Sequence, residues 1–402
     1  MADTEGTAPG RRQVLRGLAG VGLGGIGGIG AGLVLGSRGA RGAESGSAEP
    51  GDTGTPEAPG PVPVHGATQA GVDRPGTPQR HGSIAVLDLD AATTAAEMLA
   101  LCADLGTLIT ALTTATSPPH PALPDGPGDL TITVGLGPRL VRLLGPDLPG
   151  AEDLPAFAGD TELDPSHSGG DLFLAAYSHD PNDADTALTE VSDAVGHGVL
   201  RWAQRGFRAH GTGTVARNPL GFHDGVIVPR GEEELAEHVW LPDGPAAGGT
   251  IAVVRRLRVD TATFRAEPVP DRERVIGREH ATGAPLSGGG PMDEVDLLAK
   301  TPEGEFRIPA RSHARAAHPS FTGSHLMLRR GYAFDNGRTP DGVADAGLLF
   351  ICFQRDLRTF AATQHRLDEV DDLMTYVTTT ASATFLVLPG FDAEHPLGAT
   401  LG

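Results

Sequence analysis

The sequence is poor in cysteine, in aromatic residues and in positive charge. Its 402 residues contain two cysteines and 4% aromatics, and 31 lysines and arginines stand against 51 aspartates and glutamates, for a formal net charge of −20. Two thiols cannot build a four-cysteine metal site or a disulfide scaffold, so any bound metal needs other ligands. Without a general basic surface to neutralise phosphates, no nucleic-acid partner is expected. The spacing of Cys102 and Cys352 leaves open whether they meet.

Residues 1–43 are predicted to be an export signal. Arg11 and Arg12 precede a glycine-filled, weakly hydrophobic stretch, which resembles a twin-arginine signal peptide. The glycines reduce its hydrophobicity below that of a typical membrane-spanning helix, and a retained N-terminal anchor is the alternative. We therefore expect export by the twin-arginine machinery to an extracellular or cell-envelope location. Residues 44–64 are predicted to be a disordered linker, because Pro, Gly, Ser and acidic residues leave little apolar surface to bury.

The rest of the chain shows one order of elements twice. The first set has predicted strands at 83–89, 129–136, 171–177 and 207–214, and predicted helices at 91–112 and 182–204. The second set has predicted strands at 250–259, 325–334, 347–355 and 382–388, a helix within 260–280 and another at 358–376. The repeated β-α-β-β-α-β order predicts an α+β fold of two ferredoxin-like units with antiparallel sheets, an N-terminal domain at 65–215 and a C-terminal domain at 216–402.

Three clusters in the second half carry candidate chemistry. Residues 221–225 (GFHDG) would hold the carboxylate of Asp224 in a glycine-flanked turn, although Asp-Gly alone is a common turn. His313 ends a long insert, 278–315, of the kind that is usually functional when it interrupts a compact domain. Arg329 and Arg330 are adjacent in a predicted strand, so one of them faces the buried side and needs an anion or a charge partner there.

In this order along the chain, the clusters resemble the dye-decolorizing peroxidases, and the exported subgroup in particular. Residues 221–225 match the family's GxxDG signature, and segments 276–278, 282–286 and 364–373 continue the match. The resemblance implies a two-unit α+β barrel that binds one haem b per chain in its C-terminal unit. It also makes a homodimer an expectation.

The resemblance implies a role for each of several residues. His313 matches the haem-iron ligand, and Asp371 falls where the family has the acidic partner of that histidine, with Asp372 as a close competitor. Arg278 and Gly225 are further expected contacts of the haem. A carboxylate on the second ring nitrogen would fix the tautomer of the imidazole and strengthen it as a ligand.

On the opposite haem face, Asp224 matches the distal acid/base and Arg329 the distal arginine, both expected to contact haem and peroxide. Arg330 is the alternative, because a one-residue strand shift exchanges the two faces. His223 is a weaker candidate for the same pocket. One carboxylate can take a proton from bound peroxide and return it to the leaving oxygen, and the arginine would keep that carboxylate ionised.

The implied activity is reduction of hydrogen peroxide by a haem peroxidase. A ferryl haem with a porphyrin radical would then oxidise organic electron donors, namely bulky phenolic or dye-like compounds. Exported members often carry Thr-Ala-Asn-Pro where residues 226–229 here read VIVP. This change leaves room for the alternative of an exported haem-binding or iron-uptake protein with little peroxidase turnover, whereas the intact Asp224 and Arg329 favour the enzyme. Five aromatic residues are candidate radical sites, each more simply explained as core packing: Trp202, Trp240, Tyr177, Tyr332 and Tyr376.

Overall fold

The computed structural model describes residues 60–402. The predicted export signal at 1–43, and the predicted linker as far as residue 59, lie outside the described residues. Residues 60–64 contain no helix or strand, and Val64 packs against the hydrophobic core that follows.

The first α+β unit forms one antiparallel sheet in the strand order β4-β1-β3-β2. Its elements are β1 (His81–Asp88), α1 (Ala95–Thr113), β2 (Thr131–Leu136), α2 (Pro138–Leu144), β3 (Leu172–Ser178), α3 (Pro181–Ala194) and β4 (Val199–Phe207). A 3₁₀ turn at Pro165–His167 precedes β3.

A small three-stranded sheet and one helix connect the two units. Its elements are β5 (Gly211–Thr212), β6 (Val215–Arg217), β7 (His223–Asp224) and α4 (Gly231–His238). Strand β7 pairs with β6, which places Asp224 opposite Ala216.

The second unit repeats the order of the first, because β12 pairs with β8, β8 with β11, and β11 with both β9 and β10. Its elements are β8 (Thr250–Val259), α5 (Thr261–Ala266), α6 (Val269–Ile276), α7 (His313–Ala316), α8 (Pro319–Thr322), β9 (Leu328–Arg329), β10 (Tyr332–Arg338), β11 (Ala344–Gln354), α9 (Leu357–Val370) and β12 (Val377–Val387). Two 3₁₀ helices, Asp372–Tyr376 and Ala399–Leu401, complete the chain.

The two sheets join edge to edge into a closed barrel. Strand β12 pairs with β2 through Leu386 and Leu136, and β10 pairs with β4 through Ala333 and Phe207. Alternate residues of both units fill the barrel with a shared apolar core that includes Phe173. The opposite sheet faces pack against helices. The predicted α+β fold of two ferredoxin-like units is confirmed.

Helix α1 shows how the sequence determines one of these layers. A capping box at Thr94 and Glu97 starts the helix. Its buried residues recur at spacings of three and four, which is the stripe that a helix presents to a core: Met98, Cys102, Leu105, Ile109 and Leu112. Among residues 60–402, α1 alone is long and apolar enough to cross a membrane by length and composition, and this buried stripe accounts for its hydropathy. Cys102 and Cys352 are buried free thiols.

The prediction for the end of the first unit was wrong. The predicted helix at 182–204 ends at Ala194, because Gly196 takes a left-handed conformation that stops the helix. Its last residues belong instead to β4, so the predicted strand at 207–214 does not form as a single strand. The residues of β4 alternate between more and less buried positions, and the prediction assigned them to the amphipathic helix that precedes them.

Two boundaries in the second unit also differ from the prediction. The predicted helix at 358–376 ends at Val370, where Asp371 accepts a hydrogen bond from the backbone N–H of Leu373 and starts a 3₁₀ turn. The predicted strand at 325–334 is two strands, β9 and β10, separated at Arg330 and Gly331. Strand β8 lies at the predicted 250–259.

Candidate functional site

His313 lies at the start of α7, at the end of the long insert. Its Nδ1 lies 2.6 Å from Oδ2 of Asp371, a carboxylate whose side chain is fully buried at the end of α9. Nε2 of His313 makes no hydrogen bond within residues 60–402, and the side chain is 39% exposed. The neighbouring Asp372 pairs with Arg311 instead. Of the two candidate carboxylates, therefore, Asp371 is the one that contacts His313.

The surroundings of His313 act on its pKa in opposite directions. Burial is the largest single influence and lowers the pKa. The charge and hydrogen bond of Asp371, together with the charge of Asp224, outweigh burial and the opposing charge of Arg329, so that the net pKa is above the ordinary value of histidine.

Asp224 and Arg329 form an ion pair that engages only one of the two carboxylate oxygens of Asp224. Oδ1 of Asp224 accepts hydrogen bonds from Nη2 and Nε of Arg329, at 3.1 and 3.3 Å, and from the N–H of Gly225 at 2.6 Å. Oδ2 accepts no hydrogen bond from the part of the chain that the structure describes. Asp224 therefore presents one unoccupied carboxylate oxygen, on a side chain that is 31% exposed.

The ion pair also determines the charge state of Asp224. Burial raises the pKa of this carboxyl, but the guanidinium of Arg329, the hydrogen bond from Gly225 and the charge of Arg208 outweigh it. The resulting pKa is below the ordinary value for aspartate. Asp224 is consequently ionised at neutral and mildly acidic pH, in the form that accepts a proton.

The two adjacent arginines point to opposite faces of the strand. Arg329 lies opposite Cys352 of β11 and faces the helix side of the sheet, where it also donates from Nη1 to the carbonyl of Ile227 at 3.0 Å. Arg330 faces the barrel interior, donates to the carbonyl of Val72 and to Gln79, and lies over the ring of Tyr177. Arg329, not Arg330, therefore contacts Asp224.

Two glycines shape the turn that carries Asp224. Gly225 has φ +79°, and a Cβ there would lie 2.1 Å from the carbonyl oxygen of Thr214. Gly283 has φ +78°, and a Cβ there would lie 2.1 Å from Nδ1 of His223. Both positions require glycine because backbone or ring atoms fill the space that a side chain needs. His223 thus packs against the insert, while Asp224 pairs with Arg329.

Arg278 organises the insert. Its guanidinium donates to the carbonyl oxygens of Gly283, Pro291 and Asp293, at 3.0, 3.3 and 2.8 Å. Burial and the charge of Arg329 both lower the pKa of Arg278. Its acceptor Gly283 packs against His223, the neighbour of Asp224, and its other hydrogen bonds go to the backbone of the loop that leads to His313.

Backbone groups that the sequence did not reveal complete the turn. The apolar run at 226–228 supplies carbonyl oxygens: Ile227 accepts from Arg329, and Val226 accepts from Arg230. Because every residue has a carbonyl, no side-chain pattern could have indicated these contacts.

A separate cavity of about 640 Å³ lies in the first unit, at its contact with β12. The arginines that line it are already paired with carboxylates, Arg139 with Asp171, Arg142 with Asp153 and Arg201 with Asp88. None of the residues that line it belongs to the site around His313.

The residues of the site fit a haem. An imidazole that is fixed through Nδ1 by a buried carboxylate, and free at Nε2, is the usual axial ligand of haem iron. The side chains of His313, Asp224 and Arg329 are 39%, 31% and 26% exposed, so a bound group can reach them. Partial burial nevertheless shifts the pKa of His313 and of Asp224. His313 would hold the iron, and Asp224 and Arg329 would supply the proton-accepting and charge-stabilising groups of the site.

Comparison with known proteins gives the class of this chain. Residues 69–208 match the family model for the N-terminal part of Dyp-type peroxidases, and residues 215–392 match the model for the C-terminal part. A dye-decolorizing peroxidase of Thermobifida fusca is 37% identical over 65% of each chain, so the match spans just under two thirds of that relative. A deferrochelatase of Yersinia pestis is 31% identical over 99% of this chain and 96% of its own.

Solved structures agree. Ferric DtpA from Streptomyces lividans superposes with a TM-score of 0.80 at 32% identity, covering 87% of this chain and 99% of that one. A DyP-type peroxidase from Cellulomonas bogoriensis gives a TM-score of 0.77 at 33% identity, covering 86% and 98%. Fold and relatives together define a haem-dependent peroxidase. Within that class, the chain belongs to the Dyp-type peroxidase family.

Proposed function

We propose that this protein is an exported haem b peroxidase that reduces hydrogen peroxide and oxidises bulky phenolic or dye-like donors. The observation that carries the proposal is the half-used carboxylate of Asp224. Its Oδ1 is held by Arg329 and Gly225, while no described residue donates a hydrogen bond to Oδ2. A carboxylate that served structure alone would be expected to have both oxygens engaged.

Proton transfer is the task of Asp224 in this proposal. Its Oδ2 takes a proton from the inner oxygen of peroxide and returns it to the outer oxygen as water leaves. The lowered pKa keeps the carboxylate ionised and ready for the first step. When bound, haem supplies the redox chemistry that breaks the O–O bond.

Arg329 and His313 have complementary tasks. Arg329 stabilises the negative charge that develops on the breaking O–O bond, with a guanidinium already positioned by Asp224 and Ile227. His313 binds the iron through Nε2, and Asp371 orients the ring through Nδ1. The negative charge of Asp371 makes the imidazole a stronger electron donor.

The class of donor is proposed from the name of the Thermobifida relative and from the burial of the aromatic residues. Tyr177 and Tyr332 are fully buried, and Trp202 is 5% exposed, so none of these three offers a donor a contact surface. We therefore propose that donors are oxidised near the edge of the haem. Trp240 and Tyr376 are half-buried and are the remaining aromatic candidates.

The visible spectrum tests the proposed function most directly. The mature chain is purified from haem-replete cells, and its spectrum is recorded before and after one equivalent of hydrogen peroxide. We expect a ferric Soret band that changes within seconds and recovers when a phenolic or dye-like donor is added. Absence of a Soret band would contradict the haem site, and pyridine extraction of the pigment would verify haem b.

Relatives that carry the name deferrochelatase favour a second candidate, a haem-handling protein with little peroxidase turnover. The apolar run at 226–228 is consistent with this candidate. A Soret band that peroxide leaves unchanged would support it and would contradict the peroxidase proposal.

Export is proposed from Arg11 and Arg12. Replacing both with lysine should hold the protein in the cytoplasm of its host, whereas the unchanged chain should appear in the cell envelope or the medium. Equal export of the two forms would contradict a twin-arginine route. We also propose a homodimer, which light scattering of the mature protein would detect.

A further inference from the structure

Two histidines and a glutamate converge on the surface of the second unit, away from His313. Nδ1 of His238 lies 3.1 Å from Nδ1 of His325, although the residues are 87 positions apart. A carboxylate oxygen of Glu237 completes a set of three ligand atoms that all lie within 4.8 Å of one another. Glu237 and His325 are exposed and His238 is half-buried, so ions in solvent reach the cluster.

The spacing of the two ring nitrogens suits a shared metal ion. A tetrahedral Zn²⁺ with Zn–N bonds of about 2.0–2.1 Å holds its nitrogen ligands about 3.3–3.4 Å apart. The observed 3.1 Å is within a few tenths of an ångström of that separation. A carboxylate oxygen of Glu237 lies within 4.8 Å of the histidine ligand atoms, and its side chain is exposed.

The backbone around the cluster is fixed on the side of His238. The N–H of Arg355 donates to the carbonyl of His238 at 2.9 Å, and its guanidinium donates to the carbonyl of Glu237 at 3.2 Å. His238 is the last residue of α4, where the helix dipole favours a cation.

We propose that Glu237, His238 and His325 bind one divalent transition-metal ion of the Zn²⁺ type, with water in the remaining coordination position. Two neutral imidazoles and a carboxylate are a common ligand set for such ions. The site is separate from the haem site and does not depend on peroxidase activity. It joins α4, which follows the turn of Asp224, to the segment that leads into β9 and Arg329.

The test is a titration of the haem-loaded mature chain, without a polyhistidine tag, with Zn²⁺ at pH 7.5 by isothermal calorimetry. We expect one equivalent of Zn²⁺ to bind, and we expect that equivalent to be lost when His238→Asn and His325→Asn are combined. Glu237→Gln should weaken binding by about tenfold. The thermal midpoint of the unchanged chain should rise with Zn²⁺, and that of the double variant should not.

The matched control is His395→Asn. His395 is exposed and pairs with Asp392 at 3.2 Å, but no second imidazole joins it. This variant should bind Zn²⁺ as the unchanged chain does. A double variant that keeps the haem spectrum and binds Zn²⁺ with unchanged affinity would overturn the proposal, as would an unchanged chain that takes up no Zn²⁺. As a second readout, Cu²⁺ should show hyperfine coupling to two imidazole nitrogens in the unchanged chain and to none in the double variant.

Discussion

The two ferredoxin-like units have the same strand order but different connections between their first two strands. In the first unit, β1 and β2 are joined by α1 and a loop. In the second unit, the corresponding connection from β8 to β9 holds two helices, the insert ordered by Arg278, and α7 with His313. The same framework therefore carries a simple connection in one half and the candidate haem site in the other, and the difference lies in what is inserted.

The same contrast holds for two arginine–aspartate pairs. In the first unit, Oδ1 of Asp171 accepts from Nε of Arg139 at 2.8 Å, and Oδ2 accepts from Nη2 at 2.7 Å and from the N–H of Leu89 at 2.8 Å. In the second unit, Arg329 contacts a single oxygen of Asp224. The fully bonded carboxylate holds the fold together, and the half-bonded one is available to a substrate.

The largest expected effect comes from removing the proposed iron ligand, which lies in the second unit. His313→Ala should abolish stoichiometric haem binding, because Asp224 and Arg329 cannot replace an imidazole as iron ligand and His223 packs against Gly283 of the insert. The absorbance ratio of the Soret band to protein measures this loss. His318→Ala, five positions further along and paired with Glu294 on the surface, should keep its haem. A His313→Ala protein with full haem content would refute the ligand assignment.

Substitution of Asp224 should lower the rate of the reaction with peroxide, whereas substitution of Asp171 should lower the stability of the protein. Asp224→Asn should slow the reaction with peroxide by about 10²–10⁴-fold, because the amide cannot take up the proton. Asp171→Asn should leave that rate unchanged and lower the thermal midpoint, since it removes a buried charge partner of Arg139. Stopped-flow absorbance and thermal unfolding measure the two effects. Equal rates for Asp224→Asn and the unchanged chain would refute the acid/base role.

The adjacent arginines should also differ, with an effect on rate for Arg329 and an effect on stability for Arg330. Arg329→Leu should slow the reaction by about 10²–10³-fold, the loss typical of a charge-stabilising group. It should also move the acid limb of the pH–rate profile to higher pH. In the unchanged chain, Arg329 holds the pKa of Asp224 below its ordinary value, so activity persists as the pH falls; without Arg329, burial raises that pKa and the ionised form is lost at higher pH.

Arg330→Leu serves as the matched variant. It leaves the carbonyl of Val72 and Oε1 of Gln79 without a donor in the barrel, which should cost about 1–3 kcal/mol of stability. Its pH–rate profile should match that of the unchanged chain. An acid limb that moved in Arg330→Leu and not in Arg329→Leu would reverse the assignment.

The smallest expected effect belongs to Asp371. Asp371→Asn keeps a hydrogen-bonding group near Nδ1 of His313 but removes the negative charge, so haem affinity should fall by about 10–100-fold while the haem still binds. Competition for haem with apomyoglobin measures this affinity. Asp372→Asn, which loses only its exposed contact with Arg311, should bind haem normally.

Sequence patterns could predict the repeated framework but not the finer geometry. Strand β8 is a continuous run of strand-forming residues, and its bounds were predicted correctly. The end of α3 depends on the left-handed conformation of Gly196, and the break between β9 and β10 depends on tertiary pairing with β11. The local periodicity of the sequence indicates neither of these two boundaries.

The candidate site shows the same limit. Family resemblance indicated Asp371 as the partner of His313, with Asp372 as a competitor, and Arg329 as the distal arginine. Arg330 stayed an alternative because a one-residue strand shift would exchange the two faces. Strand alternation puts the two arginines on opposite faces, but only the pairing of Arg329 with Cys352 shows which face is which. The free oxygen of Asp224 could not have been predicted, because it depends on the directions of three donors. The functional roles of these residues stay predictions.

The closure of the barrel has a consequence for how the protein folds and assembles. Strands β2 and β4 end the first sheet, and each is covered by a strand of the second unit, β12 and β10. Either half alone would expose these hydrogen-bonding edges, which readily recruit strands from other molecules. The halves are therefore expected to aggregate when they are produced separately, whereas in the intact chain each half protects the other from that fate.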